Sequence, residues 1–131
     1  MPKIIHTMIR VLNPEKSLQF YAEGFGFVIT HRLDFDDFSL IYIKNPKNDF
    51  EIELTHNKDR TEPYTHGDGY GHYAFAVENL DQMHDKLDRL GYSPAPIKEF
   101  NKNGEQLARF FFVQDPDGYK IEVLQASGHY Q

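Results

Sequence analysis

The stretches HTMIRVLN at residues 6–13 and HYAFAVEN at residues 72–79 decide the fold, because they are copies of one pattern. In each, a His is followed five residues later by Val (Val11, Val77) and two further on by Asn (Asn13, Asn79). In the first copy Ile5, Thr7, Ile9 and Val11 alternate with Ile4, His6, Met8 and Arg10, the period of a half-buried strand. A helix should follow. Asn13 can cap it and Pro14 takes the favoured first helical position. Leu18, Tyr21 and Ala22 read as its buried stripe, and Gly24 and Gly26 as its stop. Extended runs are then expected at about 26–33, 38–44 and 50–55, with NPKND as a turn between the last two.

The second copy continues in the same way. Its helix is expected from about Leu80 to Leu90, and its strands at about 93–98, 108–114 and 119–124, with the turn DPDG before the last. Glu53 lies 47 positions after His6, and Glu122 lies 50 after His72, so the copies keep nearly the same register. The expected architecture is α+β: tandem β-α-β-β-β modules with curved mixed sheets, module 1 at about 4–56 and module 2 at about 71–125. Polar, turn-rich residues 57–70 form the linker within one domain, 1–131. Units of about 60 residues are marginal alone, so the halves should pack together or pair with those of a second chain.

Composition narrows the chemistry. The 131 residues carry 14 Lys+Arg, 20 Asp+Glu and seven His, with no Cys and a formal charge of −6. Disulfides, thiolate metal sites and Cys nucleophiles are excluded. An acidic chain without a basic stripe is no general nucleic-acid partner. No apolar run of about 18 residues is present to span a membrane, and the opening MPKIIHTMIRV lacks the features of a signal peptide. A soluble cytoplasmic protein is expected.

The duplication pairs a His on the first strand of each module with a Glu on the last. In FEIELT, Glu51, Glu53 and Thr55 share one face; in YKIEVL, Lys120, Glu122 and Leu124 do. His6 and His72 likewise leave the packed face of their strands. Taken singly, a strand His is more often a hydrogen-bonded residue than a ligand. A Glu among apolar strand neighbours is costly unless paired or metal-bound, however, and both copies carry one. His6, Glu53, His72 and Glu122 are therefore candidate ligands for a divalent metal. Mixed His and carboxylate donors suit Zn, Ni, Co, Fe or Mn, and four protein ligands suit a Lewis acid better than an oxygen activator.

HTMIRV, NPEKSLQFY followed by GFGF, ELTHN, YGHYAFAV and DPDGYKIE together resemble glyoxalase I, the lactoylglutathione lyases of the vicinal oxygen chelate superfamily, over residues 4–125. The resemblance implies a homodimer with sites at the subunit interface, His6 and Glu53 from one chain meeting His72 and Glu122 from the other. It implies one divalent metal per site, Ni or Co favoured by the compact length and Zn possible. The implied substrate is the hemithioacetal of methylglyoxal and glutathione, isomerised to S-lactoylglutathione, with Glu122 and Glu53 as catalytic carboxylates. Arg10 and Asn57 fall where the family holds the glutathione moiety. Residues 98–109, KEFNKNGEQLAR, stand where the family has a glutathione-covering loop, with Lys102 in place of its Lys. The alternatives are another metalloenzyme of the superfamily (a CoA-thioester epimerase, thiol transferase or dioxygenase) and a metal-free binding module.

Overall fold

The computed structural model describes all residues, 1–131, which divide into two compact units, 1–65 and 66–131. In the first unit the order is β1 (His6–Arg10), α1 (Pro14–Phe25), β2 (Val28–Asp34), β3 (Phe38–Lys44) and β4 (Glu51–Asn57). The second repeats it: β5 (Tyr73–Val77), α2 (Leu80–Arg89), β6 (Lys98–Lys102), β7 (Glu105–Gln114) and β8 (Lys120–Gln125). Each unit builds one four-stranded sheet, in the orders β1-β4-β3-β2 and β5-β8-β7-β6. The first and last strands of each unit pair in parallel and the rest antiparallel. The expected α+β fold of duplicated β-α-β-β-β modules with mixed sheets is what forms.

Local chemistry explains the elements. Asn13 and Asn79 sit in extended backbone and accept hydrogen bonds from the backbone N–H of Lys16 and Gln82, satisfying donors that the first turns of α1 and α2 leave open. The α1 stripe differs from expectation. Ser17, Phe20, Tyr21, Gly24 and Phe25 are buried, whereas Leu18 is half-buried and Ala22 exposed. The large rings Phe20, Tyr21 and Phe25 claim the buried side by their area. Gly24 is a helical residue, and Gly26, left-handed at φ 71°, is the stop.

Hydrophobic alternation sets the sheet faces. Ile9, Val11, Ile41, Ile43, Ile52 and Leu54 are buried on one face of the first sheet, and Phe111, Val113, Ile121 and Val123 on one face of the second. The second strand of the second unit lies at Lys98–Lys102, later than the expected 93–98, because Pro94 and Pro96 keep residues 92–97 out of a ladder. Residues 98–109 are accordingly mostly strand. They form the β6–β7 hairpin, turned by Asn103 and Gly104 at φ 53° and 79°, both positive as a two-residue type I′ turn requires. Lys102 is a strand residue at that turn. Asn57 closes β4, and the expected linker divides, with His66 belonging to the second unit.

Candidate functional site

In the first unit β1 and β4 run in parallel with His6 beside Glu51 and Met8 beside Glu53. On the other side of β4, Glu53 faces Tyr42 of β3. The face opposite the buried Ile and Leu residues therefore carries His6, Met8, Arg10, Tyr42, Glu51 and Glu53. The Tyr42 hydroxyl donates to Glu53 Oε2. The His6 ring meets the Tyr42 ring edge to face, centroids 5.8 Å apart at 76°, and His31 flanks Tyr42 at 5.9 Å. The hydrogen bond to Glu53 pushes the Tyr42 phenol up to about 12, with burial and the charges of Glu53 and Glu51 adding to it. It remains a donor throughout the neutral range. Thr30 Oγ1 donates to Glu51 in the same way, which holds that carboxylate back on the sheet.

The second unit repeats the arrangement. Glu122 of β8 lies between Ala74 of β5 and Phe112 of β7. His72, just before β5, places Nε2 3.4 Å from Glu122 Oε1, and its ring meets Phe112 edge to face at 5.3 Å and 79°. The DPDG turn sets this register. Asp115, 5% exposed, accepts hydrogen bonds through Oδ1 from the N–H of Asp117 (2.9 Å) and Tyr119 (3.0 Å), and Gly118 at φ 85° turns the chain into β8. Glu122 is thereby delivered to the open face. A cavity of about 580 Å³, with Tyr70, His72, Tyr92, Phe112, Gln114 and Lys120 in its walls, opens beside it. Tyr70 donates to the Lys120 carbonyl at 2.9 Å, and burial pushes its phenol up to about 12.

The His72–Glu122 separation is what a metal pair would show. Two donors each about 2.1 Å from one cation lie about 3.0–3.4 Å apart at angles of about 90–109°. Both side chains are open enough to be reached, 42% and 19% exposed. The chain by itself gathers no group of three or more His, Asp or Glu side chains able to hold a cation. The open face of the first sheet carries His6 with Glu53, and Glu51 beside them; that of the second carries His72 with Glu122. Of the expected substrate-binding residues, Arg10 is exposed at the end of β1 beside Thr55. Asn57 donates from Nδ2 to the Tyr64 hydroxyl at 3.1 Å, and Arg60 caps the Tyr64 ring at 4.3 Å. Tyr42 and Phe112 stand outside the sequence motifs that mark the His and Glu residues. The signal for them was the register of β3 on β4 and of β7 on β8, which places an aromatic opposite each Glu.

A β-α-β-β-β unit made twice, with a His and a Glu aimed out of the same face each time, defines the class. The chain belongs to the Glyoxalase/Bleomycin resistance protein/Dioxygenase superfamily, whose family model matches residues 3–123. Within that class it is 39% identical over 132 residues to a probable lactoylglutathione lyase of Synechocystis, covering 95% of both chains. It is 37% identical to the lactoylglutathione lyase of Neisseria meningitidis serogroup A, covering 94% of this chain and 90% of that one. Among solved structures, the trypanothione-dependent glyoxalase I of Leishmania major superposes with a TM-score of 0.77 at 31% identity, over 95% of this chain and 87% of that one.

Proposed function

We propose that the protein is a lactoylglutathione lyase, a glyoxalase I that isomerises the hemithioacetal of methylglyoxal and glutathione to S-lactoylglutathione and so detoxifies methylglyoxal. The observation that carries this reading is the His72–Glu122 pair at 3.4 Å, repeated in kind by His6 and Glu53 on the equivalent sheet. The names of the relatives, at 37–39% identity over nearly the whole chain, support the same activity.

His6, Glu53, His72 and Glu122 would together hold one divalent cation, Ni or Co in preference to Zn, in a homodimer where each site takes His6 and Glu53 from one chain and His72 and Glu122 from its partner. Two carboxylates nearly neutralise a dication, and the imidazoles bind it as neutral donors. When bound, the cation supplies Lewis-acid stabilisation of the negative charge that develops on the two substrate oxygens. The chain does the rest. Removing the proton from C1, the carbon bearing sulfur, is hard for a carboxylate unless the negative charge left behind is stabilised as it forms. Glu122 takes that proton and returns it to C2, so that C1 becomes the thioester carbonyl and C2 the carbinol. Glu53 is its counterpart, as a ligand or second acid/base. Arg10 and Asn57 hold the glutathione moiety. The cytoplasm, whose thiol poise is set by glutathione, would supply the co-substrate; no helix of the chain is long and apolar enough to cross a membrane.

The test is an isomerase assay on metal-stripped and metal-restored protein, using hemithioacetals of glutathione, trypanothione and a third low-molecular-weight thiol. Turnover with glutathione should vanish on chelation and return with Ni or Co. No turnover with any thiol refutes the assignment.

A further inference from the structure

The two modules place the same kind of residue at the same point with one difference. Tyr42 stands opposite Glu53 on the neighbouring antiparallel strand, and Phe112 stands opposite Glu122. Each ring packs edge to face on the His of its own module, at 5.8 Å and 76° for His6–Tyr42 and 5.3 Å and 79° for His72–Phe112. The rings thus serve both histidines alike. Only Tyr42 carries a hydroxyl, and it donates to Glu53 Oε2. Glu122 faces a hydrocarbon edge that cannot hold a carboxylate oxygen.

We propose that Tyr42 is a positioning residue that fixes Glu53 as the static anionic ligand, and that the missing hydroxyl at Phe112 leaves Glu122 as the carboxylate free to move and take the proton. This rests on the metal-isomerase reading above and deepens it, giving a physical cause for the different tasks of two chemically identical groups. A phenol donating to one carboxylate oxygen restricts rotation of the group and leaves Oε1 for a cation. Hydrogen bonds of this kind orient ligating side chains and tune their affinity. A proton-transfer base needs the opposite: freedom to swing between carbon centres. The phenol is held in turn, since the His6 and His31 rings flank it.

The experiment uses the full-length chain and two reciprocal substitutions that preserve the rings. Tyr42→Phe removes the hydroxyl opposite Glu53; Phe112→Tyr adds one opposite Glu122. Affinity for Ni is measured by chelator competition, the visible spectrum is recorded on the Co(II)-loaded protein, and kcat and KM are taken at saturating metal. Y42F is expected to weaken Ni binding about 10–100-fold and to shift the Co(II) absorption bands, as loss of a ligand-orienting hydrogen bond does. F112Y is expected to lower kcat at least tenfold with KM within about twofold and Ni affinity undiminished, because it restrains the base. Unchanged Ni affinity and Co(II) spectrum in Y42F overturn the positioning role, and unchanged kcat in F112Y overturns the division of labour. A wild-type chain that takes up no Ni, Co or Zn refutes instead the metal-site reading on which both depend.

Discussion

Replacing Glu122 by Gln changes the proposed base while keeping its volume. The Glu122 side chain is 19% exposed, lies between Ala74 and Phe112, and approaches His72 at 3.4 Å. The amide fits the same space, so β8 stays paired and melting should fall by no more than a few degrees. What is lost is the negative oxygen that accepts the C1 proton. General-base catalysis contributes about 10²–10⁴-fold, so kcat should fall by that factor, about 2.7–5.4 kcal/mol in the barrier. An amide oxygen still donates to a cation, so metal binding should weaken and remain measurable. The assay is single-turnover isomerisation of the glutathione hemithioacetal at saturating Ni, with metal content measured on the same sample. Turnover within about tenfold of wild type at full metal occupancy would show that Glu122 is not the base.

Two further predictions concern the scaffold. Gly26 ends α1 at φ 71° and a Cβ there would meet nothing within 4 Å, so Gly26→Ala should cost only the left-handed backbone penalty, about 1 kcal/mol, and lower Tm by a few degrees; an unchanged Tm would contradict the left-handed cap. Asp81, in the first turn of α2, accepts from Arg109 Nη1 (3.2 Å) and Nη2 (3.3 Å), and that pairing holds its carboxyl below the ordinary 3.8. A depressed folded pKa gives stability that is present above 3.8 and lost as pH falls through the folded value, so Asp81→Asn should destabilise slightly at pH 7 and match wild type in acid. Denaturant titrations at both pH values check it, and a gap that persists in acid would contradict it.

The parts of the structure legible in the sequence are those governed by local rules. Asn13 and Asn79 announced their helices because capping depends on a few adjacent residues, and the alternation around Ile9, Ile52 and Ile121 gave the faces that send His6, Glu53 and Glu122 outward. The α1 stripe lies a fraction of a turn from the expected one because Phe20 and Phe25, flanking the expected stripe, carry more apolar area than Leu18 and Ala22. Strand β6 was displaced because YSPAPI is apolar enough to suggest a strand, while its two prolines forbid a ladder; the Asn103-Gly104 turn was the better signal. Tyr42 was hidden for a different reason. Its bond to Glu53 depends on how β3 registers against β4 across the NPKND turn, where Asn45 accepts from the Lys47 N–H at 2.9 Å, and register is a property of the paired strands.

In the proposed metalloenzyme the two His–Glu pairs act as one site. Counting bound metal tests this directly: Ni per chain by elemental analysis, for wild type and for His6→Ala and His72→Ala, each changing one module only. One Ni per chain in the wild type, with tight binding lost in either variant, is the predicted result. A wild-type chain holding two Ni, each removed by one substitution and untouched by the other, would contradict it, because the pairs would then be separate sites.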